Sequence, residues 1–412
     1  MADRAERGTS GLLAVIGPVC PPRPTRREGV RLVPSHPGEE EPMVRAQDPP
    51  GSHLPADVLE ELGAGGDWLS SWWTVVALLL LAVLAVLWAV RRRAGHRRAW
   101  PQWTAAGLAV ALAALFVANI VVGYAPDVAA ARVALASRGI GQAPEAHAAG
   151  THDGGVESVQ IPAPAADRMP DDSLTWVYTP PGYPDGSTRY PVVYLVHGTP
   201  GASGDWFAAG DVPHAMDVLL AHGLVQPMIV VGVDVNGTGP GAADTECLDS
   251  TTGGSQVETY LTDTVIPWVD GAYRTAADWQ HRTVGGFSAG GFCALDQGLR
   301  HPELYGTILA IEPYGDPGAG GRAMLATEAE WDEHDVLGYA PTIPLPHDVA
   351  LFVDIAGREH GQPRRDGTAI AESLAARGQD VLQREEPGQR HTWTMARVAI
   401  PYGLVFASAH MP

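Results

Sequence analysis

Thr283-Val284-Gly285-Gly286-Phe287-Ser288-Ala289-Gly290-Gly291-Phe292 sets one serine between glycines two positions before and two positions after it. Such a spacing lets the backbone close tightly around a serine on a sharp turn, where its hydroxyl stands exposed as a nucleophile. A serine hydroxyl is a weak nucleophile until a base takes its proton, and that base is usually a histidine ordered by an acid. Among the downstream histidines His301, His334, His347, His360, His391 and His410, only His391 directly follows the last β-rich run, in Pro387-Gly388-Gln389-Arg390-His391-Thr392-Trp393. Where serine, acid and histidine occur in that chain order, the acid belongs between Ser288 and His391. The run Val349 to His360 offers Asp354 and Glu359, with Asp366 further on. Gly357 marks the end of the strand, so Glu359 is the better placed acid, while Asp354, within the strand, supports the site or the fold. A tetrahedral oxyanion needs two N–H donors: the Ala289 amide, and the Thr199 amide in Tyr194-Leu195-Val196-His197-Gly198-Thr199-Pro200, since Pro200 has none.

The elements that must position these residues alternate. β-rich runs at Val156–Ile161, Leu174–Tyr178, Pro191–Val196, Met228–Val233, Arg282–Phe287, Gly306–Ile311, Val349–Ile355 and Asp380–Glu385 are interleaved with helical patterns near 212–222, 255–270, 289–300, 366–377 and 394–408. That alternation predicts an α/β domain over 155–412 with a mostly parallel sheet and helices on both faces.

Ahead of this domain the chain changes character. Residues 1–66 are rich in Pro, Gly and charge and read as a disordered tail. Residues 68–90 and 103–124 are uncharged and long enough to cross a ~30 Å hydrocarbon layer as helices, with Trp68, Trp72, Trp73 and Trp88 where interfacial aromatics belong. Between them, Arg91-Arg92-Arg93-Ala94-Gly95-His96-Arg97-Arg98 carries five arginines. The bias of positive loops toward the cytoplasm makes 91–98 cytoplasmic, so the span 67–125 is a two-helix anchor and the domain beyond it is extracytoplasmic. The Ala- and Gly-rich segment 126–154 reads as a linker.

Composition narrows the chemistry. Every one of the 27 basic residues is Arg, so a phosphate-loop lysine and a lysine Schiff base are excluded. The formal charge of −20 comes wholly from the residues beyond Ala125, a surface that phosphate backbones repel, and nucleic acid is not an expected partner. Cys20, Cys247 and Cys293 lack the close spacing of a zinc site, and neither a metal nor another cofactor is expected. Cys293 reads as a small buried side chain, with pairing to Cys247 the alternative in an oxidising compartment. The oxygen-rich run Asp234–Glu246 lacks a calcium-loop spacing and reads as a solvated loop.

Taken together, His197-Gly198, Gly204-Asp205-Trp206-Phe207, Pro227-Met228, Gly286-Phe287-Ser288-Ala289-Gly290-Gly291 and Pro387-Gly388-x-x-His391-x-Trp393 resemble the putative-esterase family of α/β-hydrolases over residues 155–410. That family includes enterochelin esterases, feruloyl esterases, S-formylglutathione hydrolases and secreted mycolyltransferases. The resemblance implies Ser288 as nucleophile, His391 as base, Glu359 as acid and the Thr199 and Ala289 amides as oxyanion donors. His197, Gly198, Trp206, Phe287 and Trp393 are expected around the substrate. The sequence thus predicts a multi-pass, membrane-anchored serine esterase acting on acyl esters beside a lipid bilayer. Hydrolysis ranks ahead of mycolyltransferase-like acyl transfer, a serine peptidase is a weaker reading, and a tethered binding module without catalysis is the alternative from another class.

Overall fold

The computed structural model describes residues 49–64, 66–94, 98–140, 155–183 and 187–412. Its centre is an eight-stranded sheet: β1 (Gly155–Val159), β2 (Thr175–Thr179), β3 (Val192–Val196), β4 (Ile229–Val233), β5 (Arg282–Phe287), β6 (Thr307–Ile311), β7 (Ala350–Ala356) and β8 (Asp380–Glu386), in the spatial order β1-β2-β4-β3-β5-β6-β7-β8. β1 and β2 run antiparallel to their neighbours and all other pairings are parallel. The inner strands, such as Val-Val-Tyr-Leu-Val in β3 and Ile-Val-Val-Gly-Val in β4, are buried at every position, as continuous β-branched runs covered on both faces should be. All eight strands fall on the runs predicted from sequence, with ends displaced by at most two residues. Because the strands are parallel, the segments leaving β3, β5, β6, β7 and β8 emerge along one edge, where an α/β sheet builds its site.

The helices in chain order are α1 (Ala56–Gly63), α2 (Trp72–Ala94), α3 (Trp100–Val122), α4 (Val128–Ala136), α5 (Asp205–Ala208), α6 (Val212–Ala221), α7 (Val257–Thr259), α8 (Ile266–Ala272), α9 (Ala289–Arg300), α10 (Gly318–Met324), α11 (Glu328–Asp332), α12 (Val336–Tyr339), α13 (Gln362–Ala376) and α14 (Trp393–His410). Residues of α6 and α14 share one apolar core with β2, β3 and β7, while α8, α9 and α13 contribute to a second core on the opposite face. This sandwich of helices about a mostly parallel sheet is the α/β-hydrolase arrangement.

α2 and α3 are each 23 residues, long and apolar enough to cross a membrane, and they pack along one another with Leu80, Leu84, Leu108 and Leu115 facing outward. Around them two segments depart from expectation. The expected disordered tail 1–66 is ordered at 49–64: Val58 of α1 is fully buried against α6, Leu54 enters the same core, and His222 Nε2 lies 2.9 Å from Glu61. Leu54 just before the helix, with Val58 and Leu62 within it, follow at intervals of four and dock this short segment on the core. The expected linker 126–154 contains α4, capped by Asp127, whose side chain accepts the Ala130 amide at 2.7 Å, and Ala130, Val133, Ala134 and Ala136 are buried. Its Ala-Val composition is that of a helix with an N-cap rather than of a spacer. Residues 1–48, 95–97 and 141–154 lie outside the described residues, including the centre of the arginine loop.

Cys247 and Cys293 form a disulfide, with Cα atoms 5.5 Å apart, joining the segment after β4 to α9. Cys293 is buried, as the sequence suggested, but it is cross-linked rather than free. Closing a loop between residues 46 apart is worth about 4 kcal/mol in the chain-entropy model. Replacing both cysteines by alanine should therefore lower the thermal midpoint of the full chain by roughly 5–10 °C in a calorimetric scan, and an unchanged midpoint would show that the cross-link does not constrain this domain.

Candidate active site

Ser288 follows β5 directly and precedes α9, with φ 60° and ψ −119°. A side chain in that region of backbone space is strained, and the surroundings must hold it there. They do so by close packing. A Cβ on Gly286 would lie 2.1 Å from the Gly290 carbonyl oxygen, and one on Gly290 would lie 2.2 Å from the Val196 carbonyl oxygen, so both positions admit only glycine. The Ser288 amide donates to the Ile311 carbonyl at 3.0 Å, fixing the turn to the end of β6.

His391 reaches this serine from the loop after β8. Its Nε2 is 2.8 Å from Ser288 Oγ, and its Nδ1 is 2.9 Å from Glu312 Oε2. The acid in contact with the imidazole is thus Glu312, one residue beyond β6, and not Glu359. Glu312 is fully buried and adopts φ 51°, its amide donates to the Asp354 carbonyl at 2.8 Å, and its Oε1 accepts the Ala356 amide at 2.5 Å. Glu359 is partly exposed, and its Oε1 accepts the His391 backbone amide at 3.3 Å, so it touches the loop that carries the histidine but not the ring. The expected position after β7 lies one strand too far from Ser288. β6 is the immediate neighbour of β5, and its end brings a carboxylate to the far side of the imidazole. Asp354 does support the strand, as expected: it is fully buried and accepts Arg384 Nη1 at 2.7 Å. Asp366 accepts the Gly315 amide at 3.1 Å, away from the imidazole.

The segment after β3 lies against the nucleophile. A Cβ on Gly198 would sit 3.0 Å from the Phe287 carbonyl oxygen and 3.3 Å from Ser288 Cβ. Thr199 and Ala289 line one narrow hollow with His197, Asn236 and Glu246. Ala289 is the first residue of α9, where a backbone amide has no partner within the helix. His197 is buried with its Nδ1 2.9 Å from the Gly198 carbonyl and its Nε2 3.3 Å from Asp234 Oδ1 and 3.2 Å from the Val235 amide, so it shapes the loop rather than facing a substrate.

The aromatic residues divide. Trp206, expected to wall a substrate pocket, is completely buried and donates Nε1–H to the Val196 carbonyl at 2.8 Å, which makes it part of the core. It meets Trp393 edge-on at 5.2 Å, Trp393 lies 5.3 Å from Phe287, and Phe287 lies 4.8 Å from the His391 ring. These rings back the imidazole and limit its rotation. The Asp234–Glu246 segment is likewise more than a solvated loop. Glu246 is buried at φ 51°, both its carboxyl oxygens receive the Tyr314 hydroxyl at 2.7 and 2.8 Å, and burial together with nearby Asp244 pushes its pKa up to about 9. That shift favours its protonated form beside the hollow shared by Thr199 and Ala289.

A serine on a strained strand-to-helix turn, an imidazole on its oxygen and a buried carboxylate behind the imidazole define an α/β-hydrolase with the serine-hydrolase arrangement of side chains. Residues 166–394 match the family model described as "Putative esterase", more than half of the chain, and the chain belongs to that family. Among curated proteins it is 32% identical over 162 residues to an uncharacterised protein of Corynebacterium glutamicum, covering 39% of this chain and 37% of that one. It is 33% identical over 139 residues to an endo-1,4-beta-xylanase/feruloyl esterase of Xylanibacter ruminicola, covering 32% and 18% of the two chains. It is 29% identical over 155 residues to an esterase of Mycobacterium tuberculosis, covering 36% and 31%. The chain therefore matches well under half the length of these relatives. The fold is shared with a ferulic acid esterase, with TM-score 0.53 and 21% identity over 63% of this chain and 100% of that one. It is also shared with an S-formylglutathione hydrolase from Agrobacterium tumefaciens, with TM-score 0.52 and 18% identity over 64% and 98%.

The geometry separates the two candidate acids in a direct comparison. Glu312→Gln should lower kcat for an activated ester by about 10³–10⁴-fold, because the amide no longer holds the imidazole in the tautomer that accepts the serine proton. Glu359→Gln, which keeps an acceptor for the His391 amide, should change it less than about tenfold. Steady-state kinetics on both variants reads the difference, and the reverse order would return the role to Glu359.

Proposed function

We propose that this chain is a serine-dependent carboxylic ester hydrolase, anchored in a membrane by α2 and α3 with its catalytic domain on the extracytoplasmic side. One observation carries the reading: His391 bridges Ser288 and the buried Glu312 in a single line of hydrogen bonds. In the reaction, His391 Nε2 takes the Ser288 proton as Oγ attacks the ester carbonyl, while Glu312 stabilises the imidazolium. The Ala289 and Thr199 amides receive the oxyanion. His391 then gives its proton to the departing alcohol, and water, deprotonated by the same ring, releases the acid from the acyl-serine.

A binding module without catalysis would not need the Ser288 strain or a carboxylate buried behind an imidazole. Ester chemistry also agrees with the names of two relatives, the feruloyl esterase and the mycobacterial esterase. Two features support the sidedness. Arg91, Arg92 and Arg93 end α2, with Arg97 and Arg98 next in sequence, a positive loop between two apolar helices. The Cys247–Cys293 disulfide suits an oxidising compartment.

Ser288→Ala should abolish turnover of p-nitrophenyl acetate and labelling by a fluorophosphonate, leaving at most the ~10³-fold residual that binding and the oxyanion site supply; variant rates equal to those of the unaltered protein would refute the mechanism. For the topology, a phosphatase fused after residue 412 should be active only when exported, and the same fusion within 91–98 should be inactive. Activity in the opposite pattern would invert the orientation.

A further inference from the structure

The end of the apolar hairpin is built into the loops that carry the site. α3 closes at Gly123, with φ 74°, and a Cβ there would meet the Thr394 backbone nitrogen at 2.9 Å, so the helix end rests directly on the start of α14, three residues past His391. Arg397 of α14 clamps the contact by donating to the Gly123 carbonyl at 3.1 Å and to the Ala209 carbonyl at 3.0 Å. The next residue of the hairpin, Tyr124, donates its hydroxyl to Asp205 Oδ1, and Arg138, just past α4, approaches the same oxygen at 3.4 Å. Ser137 of the same segment packs on Gly204, where no side chain larger than hydrogen fits.

Asp205 is completely buried, and its other oxygen, Oδ2, accepts the Ala202 amide at 3.0 Å. Ala202 is three residues past Thr199, in the loop that leaves β3 for the nucleophile. A carboxylate with no access to water keeps its geometry only while its partners hold it, and here one oxygen faces the loop while the other faces the hairpin. From Asp205 the contact also runs on through Trp206 and Trp393 to the rings behind His391.

We propose that Tyr124 and Arg138 are positioning residues of the active site, holding Asp205 and through it the 199–204 loop that presents the Thr199 amide to the oxyanion. The hairpin is then more than an anchor: the membrane segment and the oxyanion loop form one mechanical unit, and the catalytic domain works at full rate only with that segment docked. This inference rests on the serine-hydrolase reading.

The test uses the full chain in detergent micelles, comparing the unaltered protein, Tyr124→Phe and Tyr124→Phe/Arg138→Met. Measured are kcat and KM for p-nitrophenyl acetate, the rate of Ser288 phosphonylation by a fluorophosphonate, and the thermal midpoint. Phosphonylation reports oxyanion stabilisation independently of turnover. Tyr124→Phe should lower kcat and phosphonylation together by about tenfold, short of the ~10²-fold that outright loss of an oxyanion donor costs. The double variant should lose more, with KM within about twofold and a lowered midpoint, so all rates are compared at a temperature where each variant is fully folded. If both rates stay within twofold of the unaltered protein, or fall only in step with the folded fraction, the positioning role is wrong. If the unaltered protein is not phosphonylated at Ser288, the hydrolase reading itself fails, and this inference with it.

Discussion

The hydrogen bond between the Glu312 carboxylate and His391 Nδ1 is the interaction on which the rest of the site depends. A carboxylate without solvent contact is costly unless each oxygen is satisfied. Glu312 meets that condition by taking the Ala356 amide on one oxygen and the imidazole on the other. The first bond ties it to the end of β7, the second ties it to the loop after β8, and its own amide is held by the Asp354 carbonyl. Three adjacent strands therefore converge on one side chain, and the imidazole inherits their rigidity. With Nδ1 occupied, Nε2 is left pointing at Ser288, which β5 and α9 hold from the opposite side.

Buried carboxylates that bridge elements continue outward from the site, although Asp354 takes a side-chain partner on one oxygen only. Asp354 sits beneath the site, pushed well above the usual carboxylate range by burial while Arg384 opposes that shift, and Arg384 stacks over the Tyr402 ring of α14 at 3.4 Å. Asp205 plays a corresponding part on the β3 side. The catalytic groups thus rest on polar contacts that cross between elements, set within apolar cores that close both faces of the sheet.

Much of this was legible in the sequence because it is periodic or sterically unique. The inner strands show as apolar, largely β-branched runs, and Gly286-x-Ser288-x-Gly290 is readable because the turn tolerates no Cβ at either glycine. His391 was legible from its place after the last strand. Glu312 follows a predicted strand directly, in Ile311-Glu312-Pro313, the same signal that marks the histidine, but Gly357 puts Glu359 at an equivalent strand end one strand further out, and sequence alone does not rank the two. Trp206 was misplaced for another reason. An aromatic near a site can face substrate or core, and only the Val196 carbonyl, a contact between residues ten apart, decides it. The docked helices α1 and α4 were hidden because each buries only a few side chains, too few to stand out from Pro- and Ala-rich surroundings. The Cys247–Cys293 bond depends on the path of the 234–256 segment, which carries no repeat to read.

The proposed mechanism requires an ester to be cleaved through a covalent bond to Ser288, and trapping that bond tests it. The full chain, mixed with a slowly deacylating p-nitrophenyl ester and quenched in acid on the millisecond-to-second scale, should show an intact mass raised by one acyl group. Peptide mapping should place that group on Ser288, with its formation matching the burst of p-nitrophenol. Turnover without an adduct, or an adduct on another side chain, would contradict catalysis through Ser288.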